Sequence, residues 1–129
     1  PYKRFRHLRA DAFTRDFHAE VRLSAVDFVL PFFVIEGTNV RREISSLDGV
    51  YHLSPDMLLN ELKEIVNLGI NKILLFGVID ESRKDEYGSY SASPNNPVNT
   101  AIRLIRENFP DLIIITDVCL CAYTTHGHC

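Results

Sequence analysis

The last thirteen residues, DVCLCAYTTHGHC (Asp117–Cys129), hold all three cysteines of the chain, an aspartate and two of its five histidines. Thiolate sulfur is a soft ligand, and zinc is the natural occupant of a site rich in it. Cys119 and Cys121 are two residues apart, and Cys129 follows eight residues later, past Gly127, which lets the chain fold back. Three sulfurs could then converge on one ion. Structural zinc has four protein ligands, whereas three leave a position for water or substrate, the mark of a catalytic ion. His126 or His128 would close a four-ligand site by joining it, although histidines in such a loop more often position neighbours or bind substrate. The spacing matches no standard zinc finger, so a reactive thiol and a buried, inert cysteine pair also stand as readings. An odd cysteine count in a chain without a secretory leader argues against a disulfide framework. His7, His18 and His52 are isolated, and no chemistry is assigned to them.

The elements that must position this cluster can be read from periodicity. Asp27–Gly37, Asn71–Asp80 and Asp111–Cys121 are short, nearly continuous apolar runs rich in Val, Ile and Phe, as suits strands buried on both faces. If the third run is a strand through Cys121, then Asp117, Cys119 and Cys121 project to one side, and Val118 and Leu120 face the opposite packing layer. Between the first two runs, Ser54 is placed to cap a helix that Pro55 opens. Leu58, Leu62, Ile65 and Val66 form its apolar stripe and Gly69 ends it. A second helix starts at Asn96 and Pro97, carries Val98, Ala101, Ile102, Ile105 and Phe109 on one face, and stops at Pro110.

Strand starts about forty residues apart are the spacing of βα units, so the fold class is α/β. A doubly wound sheet needs about five strands and a (βα)₈ TIM barrel eight. Three strands are read here, which predicts part of a longer chain, trimmed at both ends. In a barrel, chemistry collects at the C-terminal ends of the strands. Three segments would lie there: the polar loop EGTNVRREISSLDGVY with an Asp48-Gly49 turn, the charged loop DESRKDEYGSYSASPNN, suited to a mobile lid, and the cysteine cluster.

The 129 residues are 46% hydrophobic and 24% charged, with no run long enough for a membrane span, a composition that predicts a cytoplasmic globular protein without a membrane partner. Net charge is −3, unevenly placed: residues 1–22 carry six cations against three carboxylates. This basic arm has no aromatic-basic repeat or nucleic-acid reading motif, so nucleic acid is not the expected partner. An arm lying on the acidic body of a neighbouring copy accounts for the asymmetry. The expected organisation is therefore an N-terminal arm over 1–22 and a partial barrel over 23–129.

DVCLCAYTTHGHC resembles the zinc-binding segment of the porphobilinogen synthase (5-aminolaevulinate dehydratase) family, in its cysteine-rich branch. RLSAVDFVLPFFVIEG is similar to that family's first barrel strand and lead-in, and ISSLDGVYHLSPDMLLNE to the next loop and helix. ILLFGVID resembles its second strand, KDEYGSYS its lysine-aspartate, glycine-serine loop, and NTAIRLIRENFPDLIIITDVCLC the following helix and strand. The resemblance runs from about Arg4 to the end. It implies a homo-octameric (βα)₈-barrel lyase that condenses two molecules of 5-aminolaevulinate to porphobilinogen with loss of water. It also implies Cys119, Cys121 and Cys129 as zinc ligands, Asp117 beside the active site as an auxiliary catalytic group, the arm as a subunit-embracing segment, and room for a magnesium site beyond residue 129.

The family's two Schiff-base lysines belong to later strands. Of the lysines present, Lys3 is in the arm, Lys63 on the polar side of a helix, Lys72 at the start of a strand and Lys84 in a loop among carboxylates. None suits a desolvated nucleophilic amine, so the 129 residues by themselves are expected to be inactive. A closed zinc module without a reaction and a thiol redox sensor are the alternatives.

Overall fold

The structure is a computed structural model and describes residues 5–129; Lys3 and Arg4 of the basic arm lie outside the described residues. In chain order the elements are α1 (Ala12–Phe17), β1 (Leu30–Ile35), β2 (Arg41–Glu43), β3 (Tyr51–Leu53), α2 (Pro55–Asn67), β4 (Lys72–Val78), α3 (Pro97–Asn108) and β5 (Ile113–Thr116). They build one five-stranded sheet in the order β2-β3-β1-β4-β5. Strands β3, β1, β4 and β5 run parallel, and β2 pairs antiparallel to β3 at the edge.

Two of those strands, β2 and β3, occupy the segment expected to be a polar loop. The Asp48-Gly49 turn lies inside their connection, where Ile44 N–H donates to Val50 O and Val50 N–H to Leu47 O. Three-residue strands are too short to show a period of two, which is why the pattern hid them.

Both helices open at the expected prolines, but Ser54, expected to cap α2, makes no side-chain cap bond; its hydroxyl instead accepts from Val40 N–H at 2.9 Å. Pro55 and Pro97 take the first helical position, where a missing N–H costs nothing, and the Asn96 side chain accepts from Asn99 N–H. Their stripes meet the sheet from one side only. Leu58, Leu62 and Ile65 of α2 and Val98, Ala101 and Ile105 of α3 pack with Val34, Ile73 and Leu75 in a single core. Truncating a fully buried leucine such as Leu58 to alanine costs about 2–5 kcal/mol. Val66, expected in the α2 stripe, is 40% exposed at its margin.

Helices on one face, with β1, β4 and β5 added side by side in chain order, are the winding of a barrel; a doubly wound sheet covers both faces. The expectation of strands buried on both faces holds only for the helix side. On the other side Phe33 and Phe76 stack at 5.5 Å between ring centroids and remain half-buried, and Ile113 and Ile115 of β5 are exposed.

The arm is not simply extended. Asp11 caps α1 by accepting from Thr14 N–H at 2.8 Å, yet no residue from 5 to 29 is buried. Among the described residues no helix is long and apolar enough to cross a membrane.

Candidate metal centre

Strand β5 stops at Thr116, so the expected strand through Cys121 is corrected. The reason is local: the Asp117 carboxylate accepts from Cys119 N–H at 3.1 Å and turns the chain away from the ladder. Val118, expected to face a packing layer, is instead 91% exposed, and Leu120 is also exposed. Even so, Asp117, Cys119 and Cys121 line one cavity, together with Phe33, His52 and Tyr123. Its volume is about 410 Å³, and it opens beside the C-terminal ends of β4 and β5.

Cys129 closes on this edge from the far end of the loop. Its Sγ lies 3.9 Å from Cys119 Sγ and 3.6 Å from Cys121 Sγ, and the three sulfurs all fall within 4.8 Å of one another. Tetrahedral zinc with Zn–S bonds of about 2.3 Å separates its sulfurs by about 3.8 Å. The cysteines are free and too far apart to be disulfide-bonded, so the donor set fits a metal ion without rearrangement of the chain.

The sulfurs perturb one another. Hydrogen bonds with Cys119 and Cys129 push the Cys121 thiol up to about 11, while its bonds with Cys121 and Cys119 draw Cys129 down. A cluster without a cation can hold one thiolate easily and three only at a cost, and a divalent ion removes that cost.

The two histidines of the loop do not join the sulfurs. His128 N–H donates to His126 Nδ1 at 3.3 Å, which leaves the proton of a neutral ring on Nε2, and Nε2 sits 3.1 Å from Glu86 O as its donor. Both nitrogens of His126 are thereby engaged away from the cysteines. Gly127, at φ +73°, makes the turn between these histidines that sends Cys129 back.

The loop after β4, expected to be a mobile lid, is tied to the cysteine loop. Asp85 and Thr124 form a parallel bridge, with Asp85 N–H donating to Tyr123 O at 3.3 Å and Thr125 N–H to Asp85 O at 3.0 Å. The Asp85 carboxylate accepts from Ser89 and Tyr87 N–H, which holds it below the usual carboxylate range. Farther along, Tyr90 Oη donates to Glu36 at the end of β1, and burial followed by that carboxylate raises the phenol. Lys84, the one lysine near this end among the described residues, is paired with Glu81 and does not line the cavity.

Sequence reasoning missed His52, Tyr123 and Thr124. Arg42 Nη2 lies 3.3 Å from His52 Nδ1 at the cavity wall. Tyr123 is buried against Gly77, where an added Cβ would stand 2.9 Å from its hydroxyl. No motif marks these residues, because their roles come from packing across loops that are distant in sequence.

Comparison with known proteins finds relatives along nearly the whole chain. The profile of the family described as Delta-aminolevulinic acid dehydratase matches residues 2–129. The chain is 45% identical over 129 residues to the delta-aminolevulinic acid dehydratase of Helicobacter pylori, covering 99% of this chain and 39% of that protein. It is 47% identical over 128 residues to the enzyme of Halalkalibacterium halodurans, covering 99% and 38% respectively. In structure it resembles delta-aminolevulinic acid dehydratase (porphobilinogen synthase) from Toxoplasma gondii, solved with the reaction product porphobilinogen. That likeness has a TM-score of 0.88 at 29% identity and covers 99% of this chain and 36% of the other. The chain thus spans under two-fifths of the length of these relatives, and its fold is part of a TIM barrel. It belongs to the delta-aminolevulinic acid dehydratase family.

Proposed function

We propose that the longer protein of which these residues form a part is a zinc-dependent porphobilinogen synthase, a lyase of tetrapyrrole and heme biosynthesis that condenses two molecules of 5-aminolaevulinate with loss of water. The observation that carries this reading is the gathering of Cys119, Cys121 and Cys129 within 4.8 Å at the rim of a cavity that also receives Asp117. Zinc bound by three thiolates is formally anionic and a weak Lewis acid, so it would orient one substrate's amine or carbonyl rather than drive the reaction alone.

The chain's own residues supply the surroundings. Asp117 offers a carboxylate at the cavity wall, within reach of a bound amine, while one of its oxygens steadies the Cys119 backbone. Phe33, Leu75 and Phe76 give the cavity an apolar lining. The amines that activate the substrates covalently would come from later strands, since Lys84 is engaged by Glu81.

The arm supports self-association into a homo-oligomer, an octamer by family likeness. Phe5, Phe13, Phe17, Val21 and Leu23 are each more than 70% exposed, more apolar surface than a lone chain leaves in water. A closed structural zinc module is disfavoured because neither His126 nor His128 joins the group of three sulfurs, and both His126 nitrogens are engaged elsewhere. A magnesium site, as the resemblance suggests, would lie outside these residues.

The test is porphobilinogen formation by the full-length protein, with zinc content measured alongside. Activity lost on chelation and restored by zinc is expected. Full activity in metal-free protein would remove the reading, and product formation by the 129 residues alone would show that the later lysines are dispensable.

A further inference from the structure

Cys119 and Cys121 follow within five residues of the end of β5, and the Asp117 carboxylate holds the Cys119 N–H, so both stay close to the sheet edge. Cys129 has no such support: it is exposed and lies eight residues beyond Cys121, past a glycine turn. Something must return it to within 4 Å of the other two sulfurs. The fixed point of the intervening loop is Thr124, which is 5% exposed and held by the bridge to Asp85. Its Oγ1 lies 3.1 Å from His128 O and 3.5 Å from Cys121 O. One hydroxyl carries one proton, and the shorter, better contact takes it. The buried hydroxyl therefore grips the carbonyl immediately before Cys129. His126 steadies the same turn, but from an exposed position.

We propose that Thr124 is a positioning residue for the cysteine triad: its hydroxyl, held against the loop after β4 through Asp85, sets Cys129 in bonding range of the metal. The inference rests on the zinc reading given above. It makes the connection after β4 part of the metal site although that connection supplies no ligand, and it ranks Thr124 with the outer partners that orient metal ligands.

The experiment uses the full-length protein as wild type, Thr124→Ser, Thr124→Val and Thr124→Ala. Zinc affinity is measured by chelator competition, the sulfur-to-cobalt absorption of the cobalt-substituted forms reports how many thiolates bind, and thermal unfolding is followed without metal. T124V keeps the shape without the proton, and T124A also lacks it. Both should lose about 10- to 100-fold in zinc affinity and show weaker sulfur-to-cobalt absorption. T124S should remain near wild type, and the metal-free unfolding temperatures should agree.

Wild-type affinity in T124V would overturn the proposal. So would an equal loss in T124S, which would place the effect on the methyl group, or a metal-free T124V that fails to fold, which would make Thr124 structural. A wild-type protein without any sulfur-to-cobalt absorption would instead bring down the zinc reading, and this inference with it.

Discussion

Cys121 Sγ lies 3.6 Å from Cys129 Sγ although eight residues separate them, and the contact splits their acidities in opposite directions. Cys129 is drawn down and Cys121 pushed up to about 11, because hydrogen bonds from its neighbours stabilise a Cys129 thiolate while the Cys121 thiol, a donor in the cluster, keeps its proton. Since only the thiolate is nucleophilic, iodoacetamide at about pH 8 should modify Cys129 before Cys121 in metal-free protein. Saturating zinc should protect all three. Peptide mass spectrometry over a time course reads the order, and equal rates for Cys121 and Cys129 would show that the sulfurs are not in contact.

The Asp117 carboxylate lines the cavity and accepts from Cys119 N–H at 3.1 Å, two features that substitution can separate. Asparagine keeps an acceptor oxygen but no charge, and alanine keeps neither. In the full-length enzyme D117N should therefore retain zinc while kcat falls by about 100-fold or more. D117A should lose zinc affinity as well. Metal content beside steady-state rates distinguishes the two, and D117N with unchanged kcat would leave the carboxylate no part in turnover.

The α/β class, the three main strands and both helix starts could be read from sequence because they depend on local rules: apolar runs, Asn96 as a cap, prolines at helix openings. The cysteine triad could be read from residue type. What escaped depended on contacts remote in sequence. The β5 run was read through Cys121, but a side-chain acceptor at Asp117 competes with the strand ladder, and a hydropathy pattern does not weigh that competition. The β2–β3 hairpin announced itself only through Asp48-Gly49. Thr124 carries no signal at all, since its value lies in meeting Asp85, thirty-nine residues earlier.

His52 stands at the cavity wall with Arg42 Nη2 3.3 Å from its Nδ1. Burial first, and the neighbouring guanidinium second, lower it from the ordinary 6.5. The neutral ring is thus the folded form, and its stabilising share is present above 6.5 and lost as pH falls through the lower folded value. Arg42→Met removes the second cause and leaves the first. The His52 resonance should then titrate at higher pH than in wild type and still below 6.5. A midpoint unmoved by R42M in NMR titration would mean that the two side chains do not meet in solution.

Gly77 sits on β4 opposite Val34, with the Tyr123 hydroxyl close over it. A Cβ at this position would stand 2.9 Å from Tyr123 Oη and 3.0 Å from Val98 Cγ2, so both neighbours would have to shift to admit it. Val98 is buried on α3 in the shared core, whereas the tyrosine hydroxyl can be removed by mutation. Gly77→Ala should therefore destabilise the full-length protein by about 1–3 kcal/mol, the usual cost of overpacking. The double variant Gly77→Ala/Tyr123→Phe should recover part of that loss but not all of it, because the contact with Val98 remains. The two changes must then be non-additive, as expected for residues in contact. Denaturant unfolding of the four proteins in this cycle measures the coupling. Strict additivity would place Tyr123 away from Gly77, and with it the start of the loop that leads to Thr124 and Cys129.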